Sequence, residues 1–170
     1  IGAKAILAEV LASGLRGRGG AGFPAAIKWK TVAGAASHQK YIVCNADEGD
    51  SATFADRMVM EGDPFMLIEG MAIAGLAVGA DKGFVYIRSE YPYAIAKMRA
   101  AVKASAHLVA PFDIEVRVGA GAYVCGEETA LLDSIEGLRP EVRVRPPFPA
   151  ESGLYGQPTL LSNVETFAAI

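Results

Sequence analysis

Three short runs of apolar and β-branched residues recur along the chain, and each is followed by a segment with helical periodicity. The runs cover residues 41–45 (YIVCN), 84–88 (FVYIR) and 113–118 (DIEVRV). The first two are almost continuously apolar, which is typical of strands covered on both faces. Strand and helix in alternation predict a right-handed parallel sheet, and therefore an α/β, Rossmann-like fold with helices on both faces.

The helical segments carry recognisable start and stop signals. Asp63 followed by Pro64 predicts the N-cap and first position of a helix that ends at Gly79. An amphipathic helix is expected from Pro92 and another over residues 127–135, while two more precede the first strand, near residues 3–13 and after Pro24. A further helix is expected to start near residue 163. Residues 139–158 hold five of the nine prolines and are expected to be irregular.

Charge and cysteine content exclude several classes of function. With 16 Lys and Arg against 19 Asp and Glu, the net charge is −3, so no basic excess attracts the phosphates of nucleic acid. The longest apolar run, residues 65–80, is interrupted by Glu69 and is too short to insert in a membrane. Two cysteines without a CxxC pattern cannot build a zinc site or an iron-sulfur cluster. Without a secretory signal, a cytoplasmic setting is expected.

A glycine-rich loop over residues 14–23 is the first candidate binding segment. Gly17, Gly19 and Gly22 satisfy GxGxxG, but a dinucleotide fingerprint must follow a strand, and this loop follows a predicted helix. A chain without Cβ atoms can still bring backbone N–H groups close to an anion, and Arg18 and Lys28 supply positive charge. A flexible turn without a ligand remains the alternative.

Two further segments lie where predicted strands end, which is where ligands bind in parallel sheets. Asn45, Asp47, Glu48 and Asp50 follow the first strand and offer oxygen acceptors for ring N–H and hydroxyl groups, although such clusters are commonly solvated turns. Residues 119–129 follow the third strand. There the paired glutamates at 127 and 128 are explained equally well as helix caps.

The thiol of Cys125 is a candidate nucleophile in the same segment. Neither histidine lies in a strand-end loop where it could act as a base, so a cysteine hydrolase is disfavoured. The sequence therefore predicts a buried structural thiol.

Taken together, these segments resemble the flavin-binding subunit of NADH dehydrogenases, a family with relatives in NAD-dependent formate dehydrogenases and NAD-reducing hydrogenases. The matching motifs are SGLRGRGGAGFP from residue 13, YIVCNADE from residue 41, GAYVCGEET from residue 121 and NVET from residue 163. The motifs EGDSATF from residue 48 and RSEYP from residue 88 look most like those of the formate dehydrogenase β subunit.

The resemblance implies FMN at the carboxyl ends of the strands and a dinucleotide stacked over it. The residues implied to bind the flavin are Gly17, Arg18, Gly19, Lys28, Asn45, Asp47, Glu48, Tyr123, Gly126, Glu127 and Asn163. The residues implied to bind NADH are Phe23, Lys28, Asp50, Glu128, Arg145 and Phe148, with the adenine between the two phenylalanines.

The activity implied is hydride transfer between NAD(H) and FMN, with electrons exchanged with iron-sulfur clusters of partner subunits. Because the flavin carries that chemistry, no catalytic side chain is expected. Residues 1–170 are expected to be the FMN-binding domain of a larger subunit, excised at both ends, with an iron-sulfur domain downstream. The alternative is a nucleotide-binding interaction module without redox activity.

Overall fold

The sheet consists of four parallel strands. The computed structural model describes residues 1–50, 52–119 and 121–170, so Ser51 and Ala120, within two of the motif segments, lie outside the described residues. The strands are β1 (Tyr41–Ala46), β2 (Lys82–Ile87), β3 (Asp113–Val118) and β4 (Thr159–Asn163), in the order β3-β2-β1-β4. In the register of β1, Val43 lies between Phe84 of β2 and Leu161 of β4. The predicted α/β parallel sheet is confirmed.

Seven α-helices and two short 3-10 helices are found in the described part of the chain. The α-helices are α1 (Ala3–Ala12), α2 (Ala25–Gly34), α3 (Ala55–Gly62), α4 (Pro64–Val78), α5 (Pro92–Val109), α6 (Glu128–Ile135) and α7 (Val164–Ala168), and the 3-10 helices are Tyr123–Gly126 and Leu154–Gly156. As predicted, the Asp63 carboxylate caps α4 by accepting from the Met66 amide, and Gly79 ends it in a left-handed conformation. None of the helices over described residues is long and apolar enough to cross a bilayer.

Helices cover both faces of the sheet because side chains alternate along each strand. On one face, Ile42 and Cys44 of β1 join a large core formed with residues of α1, α2, α4, α5 and α7. On the other face, Val43 joins a smaller core with Leu131 and Leu132 of α6. The continuous apolar sequence of β1 is thus explained by burial on both sides.

The connections on either side of β1 run over opposite faces. From β1 the chain passes through α3 and α4 to β2, and from β3 it returns through α6, on the other face, to β4. The strand order therefore reverses next to β1. At such a switch point the loops diverge and leave a crevice at the carboxyl ends of the strands, which is the usual ligand position in open α/β sheets.

Several element boundaries differ from the sequence-based predictions. Strand β2 spans Lys82–Ile87 rather than residues 84–88, because Lys82 and Gly83 pair with β3 while Arg88 follows the last paired residue. Helix α6 begins at Glu128, since Glu127 is its extended N-cap. The segment 139–158 is irregular as predicted except for the 3-10 turn at Leu154–Gly156.

Two elements, β4 and α3, were not predicted. Both are specified by distant contacts, β4 by pairing with β1 and α3 by a carboxylate that caps its first turn.

The close approach of α4 to α7 gives a stability prediction. A Cβ added at Gly70 would collide with the backbone carbonyl of Phe167, lying 2.8 Å from the carbonyl carbon, and backbone on both sides leaves no room to adjust. We expect Gly70→Ala to lower the free energy of unfolding by about 1–3 kcal/mol, as overpacking typically does. Urea denaturation followed by circular dichroism measures the change.

Gly62, in α3, is the matched control. A Cβ at Gly62 meets no atom within 4 Å, so Gly62→Ala should leave stability unchanged or raise it by up to about 1 kcal/mol through helix propensity. Equal unfolding free energies for Gly70→Ala and the unmodified protein would contradict the proposed tight packing of α4 on α7.

Candidate functional site

Four segments meet at the carboxyl edge of the sheet and enclose a cleft of about 700 Å³. They are the loop after β1, the 3-10 helix Tyr123–Gly126, the end of β4 and the glycine loop. The lining includes Arg18, Gly19, Gly20, Asn45, Asp47, Glu48, Gly49, Asp50, Asp56, Tyr123, Gly126, Glu127, Asn163 and Glu165. This first cleft thus brings together nine of the eleven residues predicted for the flavin.

A second cleft of about 610 Å³ adjoins the first. Its lining includes Gly17, Gly19, Gly22, Phe23, Lys28, Asn45, Gly126, Glu128, Arg145, Phe148, Asn163 and Thr166. Four residues, Gly19, Asn45, Gly126 and Asn163, line both clefts. The two clefts are therefore parts of one crevice, and the four shared residues mark where they meet.

Hydrogen bonds fix three of these shared residues at the meeting point. The Asn45 amide donates to the Gly126 carbonyl (2.9 Å), and its oxygen accepts from the Asp47 backbone N–H (3.1 Å). The side-chain oxygen of Asn163 caps α7 by accepting from the backbone amide and hydroxyl of Thr166. The end of β1 is thus joined to the 3-10 helix Tyr123–Gly126, and the end of β4 is joined to α7, which follows it.

The glycine loop is held to the same helix. The Thr166 hydroxyl oxygen accepts from the backbone N–H of Arg18 (2.9 Å), while the Gly17 N–H donates to the Phe23 carbonyl (2.8 Å). As predicted, the loop connects two helices, α1 and α2, rather than a strand and a helix. Its place beside the crevice comes from tertiary contacts, not from a Rossmann fingerprint.

On the far wall of the first cleft, Glu48 forms a buried cap. Its carboxylate accepts from the backbone N–H groups of Asp56 (3.1 Å) and Arg57 (3.3 Å) and from the Tyr91 hydroxyl (3.1 Å). These contacts satisfy the otherwise unpaired amides of the first turn of α3. Glu48 lines the cleft as the sequence predicted, and it also anchors the helix that the sequence did not predict.

Two carboxyl groups on this wall have raised pKa values. Burial, together with the charges of Glu48 and Glu165, raises the pKa of Asp56 to about 7, although the Glu165 backbone N–H donates to its carboxylate. Burial also raises the pKa of Asp47 to about 6, with Arg88 opposing the change. Near neutral pH these two groups can hold protons inside a wall that is otherwise negatively charged.

Tyr123 and Asp50 close the outer rim of the first cleft. The Tyr123 hydroxyl donates to the Asp50 carboxylate (2.9 Å), and the ring lies over Gly49, where a Cβ would come within 2.9 Å of it. Asp50 was predicted to contact the dinucleotide. The structure places it on the first cleft, with the residues predicted for the flavin.

Ion pairs occupy the second cleft. The Glu128 carboxylate pairs with Arg145 (2.6 Å) and with Lys28 (3.6 Å), and Arg145 also approaches Glu127 (3.4 Å). Lys28 in addition donates to the Leu161 carbonyl (3.2 Å). Because these side chains are partly solvated, each pair contributes at most about 1 kcal/mol. A bound anion could therefore replace a carboxylate at Arg145 or Lys28.

Two aromatic side chains line the same cleft. Phe23 is 45% exposed and Phe148 is 54% exposed, and both rings line this cleft, so each offers free surface to a ligand. The structure thus brings together five of the six residues predicted for the dinucleotide. Gly17 and Lys28, which were predicted for the flavin, lie on this cleft and not on the first.

Cys125 is fully buried in the core under α6, and Cys44 is fully buried in β1. Burial holds the pKa of the Cys44 thiol well above its usual range. A buried thiol cannot attack a substrate, so the cysteine hydrolase hypothesis is wrong and the predicted structural thiol is confirmed.

The sequence analysis missed four residues that line or support the crevice. Asp56 gave no signal because α3 was not predicted, and Glu165 and Thr166 stand in the NVET motif, of which only Asn163 was assigned a role. Thr129 closes the GEET motif and lies beneath Glu127, where its hydroxyl contacts that carboxylate.

Comparison with known proteins identifies a matching family. Residues 10–170 match the family model described as the Nuo51 FMN-binding domain. The chain is 54% identical to the NADP-reducing hydrogenase subunit HndC of Solidesulfovibrio fructosivorans over 93% of its own length and 34% of that protein. It is 48% identical to the mitochondrial NADH dehydrogenase (ubiquinone) flavoprotein 1 of Dictyostelium discoideum, over 96% of its own length and 36% of the relative.

A solved structure agrees with the sequence matches. The chain superposes on a crystal structure of NAD⁺-reducing [NiFe]-hydrogenase in the air-oxidized state with a TM-score of 0.94 and 47% identity. The match covers 98% of this chain and 29% of the hydrogenase chain. The chain therefore spans about a third of the length of these relatives.

The Asp56 carboxyl gives a pH prediction. A carboxyl whose pKa is higher in the folded protein than in the unfolded chain takes up a proton on folding, so its contribution to stability falls as pH rises between those two values. For Asp56 the window runs from the ordinary value of 3.8 to about 7. Between about pH 5 and 8, the unfolding free energy of the unmodified protein falls as Asp56 loses its proton. We expect the unfolding free energy of Asp56→Asn to fall by at least ~1 kcal/mol less over the same range.

Urea unfolding at several pH values measures this effect. Glu69→Gln, on the exposed side of α4, removes the same charge and should leave the pH profile unchanged. Parallel profiles for Asp56→Asn and the unmodified protein would show that Asp56 does not hold a proton on this wall.

Proposed function

Because the chain belongs to the Nuo51 FMN-binding domain family, we propose that it binds FMN in the first cleft and NAD(H) in the second, and serves hydride transfer between them. The observation that carries the proposal is that both clefts meet at Gly19, Asn45, Gly126 and Asn163. Rings bound on either side of that line would be in contact. The proposal fits the strand-end crevice, where open α/β sheets bind their ligands.

The first cleft suits the uncharged part of a flavin. Its volume lies in the usual range for cofactor sites, and Asn45 and Asn163 present amide groups at its floor. Six carboxylates face it, and Arg18 is the one cation among its described lining residues. A phosphate would be repelled by most of this wall, so the phosphate end belongs at the glycine loop, beside Arg18.

The second cleft suits a dinucleotide. Phe23 and Phe148 offer aromatic faces for an adenine, and Arg145 and Lys28 offer charge for a pyrophosphate. Glu128 now pairs with both cations, so an incoming pyrophosphate would take over one of its partners. Asp50 lines the first cleft. It would reach a dinucleotide only across the line where the two clefts meet.

When bound, the flavin supplies the redox chemistry as hydride acceptor or donor. The residues of this chain bind and orient the two ligands. Asn45 and Asn163 hold the floor of the crevice in place, and Glu127, which caps α6, forms a fixed part of the wall of the first cleft. No side chain needs to act as a general acid or base, because a hydride moves without a separate proton.

Partner subunits and cellular setting are inferred from the relatives. One relative is named as a hydrogenase subunit and another as a flavoprotein of NADH dehydrogenase, so we infer a place in a multisubunit redox complex. The motif resemblance implies that electrons pass to or from an iron-sulfur partner there. The resemblance of two motifs to a formate dehydrogenase β subunit makes formate an additional candidate for the terminal substrate. A cytoplasmic setting is supported by the two free, buried thiols of the described chain.

Flavin binding is the first test of the proposal. We expect the purified protein to bind FMN, detected by its visible absorbance after gel filtration, and Gly19→Val to weaken binding at least about ten-fold. The position itself accepts a Cβ, 3.5 Å from the Asn163 Cβ, but the two γ-carbons of valine would extend into the clefts that Gly19 lines. Gly34→Val, in open space on α2, is the control. Unchanged affinity in Gly19→Val would reject this position for the flavin.

The dinucleotide side is tested at Phe148. Stacking of an aromatic base on a side chain contributes about 1 kcal/mol or more, so Phe148→Ala should raise the KM for NADH about five-fold while the FMN content stays the same. Ferricyanide reduction by the full-length protein measures the KM. Phe65→Ala removes an equally exposed ring outside both clefts and should have no effect. An unaltered KM in Phe148→Ala would place this ring outside the dinucleotide site.

A further inference from the structure

The segment 139–158, called the strap below, carries Arg145 and Phe148 to the second cleft. It is irregular apart from one 3-10 turn, so no helix or sheet hydrogen bonds fix most of its backbone. An irregular segment can present a binding ring at a defined position only if other groups hold it. The turn at residues 148–152 and the hydrogen bond from the Thr159 N–H to the Pro149 carbonyl (2.9 Å) hold one end of the strap, and its contacts with α6 hold the other.

Arg143 ties the strap to the C-terminal half of α6. Its guanidinium donates to the Asp133 carboxylate (2.7 Å) and pairs with Glu136 (2.9 Å), while a third nitrogen donates to the Gly153 carbonyl (3.1 Å). Asp133 is buried, so this pair is protected from water and salt. One side chain thus joins the helix to two separate parts of the strap.

Thr129 ties the strap to the first turn of the same helix. Its hydroxyl oxygen accepts from the backbone N–H of Arg143 (2.9 Å), and its hydroxyl proton is donated to the Glu127 carboxylate. The side chain is almost completely buried. A single hydroxyl therefore connects the strap, which lines the second cleft, to Glu127, which lines the first.

A second connection between the strap and Glu127 is weaker. Arg145 reaches Glu127 at 3.4 Å, with about a third of its side chain exposed to water. Partly exposed ion pairs at this distance contribute little, whereas a buried hydrogen bond leaves an unsatisfied N–H when its acceptor is removed. The Thr129 hydroxyl is accordingly the stronger of the two contacts that join the strap to Glu127.

We propose that Thr129 is a positioning residue that holds the strap at a fixed position relative to Glu127. The dinucleotide subsite in the second cleft then stays at a fixed place relative to the first cleft. The identity of the two ligands rests on the function proposed above. Thr129 itself touches neither ligand in this arrangement. Its effect passes through the backbone of Arg143 to Phe148, five residues further along the strap.

Thr129→Val, which keeps the shape and removes the hydroxyl, tests the proposal. In the purified full-length protein we expect the Arg143 amide to exchange its hydrogen at least about ten-fold faster, and the KM for NADH to rise about five-fold. FMN affinity should change less than about two-fold, because Glu127 keeps the backbone donors of Thr129 and Ala130. Thr129→Ser, which retains the hydroxyl, should restore both values.

A double-mutant cycle shows whether the effect passes through the strap. If Thr129 acts by placing the Phe148 ring, adding Thr129→Val to Phe148→Ala should raise the KM no further than Phe148→Ala alone. Arg139→Met removes an exposed charge from the same strap and should behave as the unmodified protein. If Thr129→Val does not fold, Asp133→Asn weakens the other anchor and should give the same faster exchange and higher KM.

The proposal would be overturned by unchanged exchange at Arg143, by an unchanged KM in Thr129→Val, or by multiplying effects in the double variant. A loss of FMN affinity as large as the change in KM would also overturn it, by placing the role of Thr129 at Glu127 alone. Hydrogen exchange needs no ligand. It therefore tests the anchoring of the strap even if the unmodified protein fails to bind FMN, a result that would reject the proposed function instead.

Discussion

Strand β1 is hydrogen-bonded to a parallel strand on each side, and this pairing determines where the candidate ligand groups at the strand ends lie. The chain leaves β1 over one face of the sheet and enters β4 after crossing the other face. No connection can then cover the ends of both strands, so a crevice remains. Asn45 and Asn163 stand side by side at its floor because they are register partners in the pairing of β1 with β4.

The carboxylate-rich wall of this crevice is stable because four of its six carboxylates either cap a helix or can take up a proton. Glu48 and Glu127 each cap the first turn of a helix, where backbone N–H groups and the helix dipole favour a negative charge. Asp47 and Asp56, with raised pKa values, can instead become neutral by taking up a proton. The fold therefore tolerates six carboxylates around one cleft without a matching number of cations.

The sequence was sufficient for three of the four strands and for the segments that follow them, since local signals specify both. The apolar run of β1 indicates burial on two faces, and Asp63 and Gly79 mark the ends of α4 independently of what α4 packs against. Strand β4 and helix α3 lack such signals because distant residues specify them, through pairing with β1 and through the Glu48 cap. The division of the site into two clefts depends on how the loops fold over the sheet, so the sequence could not predict that Lys28 lines the second cleft and Asp50 the first.

The two kinds of carboxylate contact suggest which part of the crevice is fixed and which part adapts. Glu127 accepts from two backbone amides and a buried hydroxyl, so moving it would expose several unsatisfied donors at once. Glu128, one residue later, holds Arg145 and Lys28 through partly solvated pairs that cost little to break. A phosphate-bearing ligand can therefore rearrange the ion pairs of the second cleft while the wall of the first cleft at Glu127 stays in place. That asymmetry is what the proposed function requires, in which the first cleft keeps its ligand and the second exchanges one.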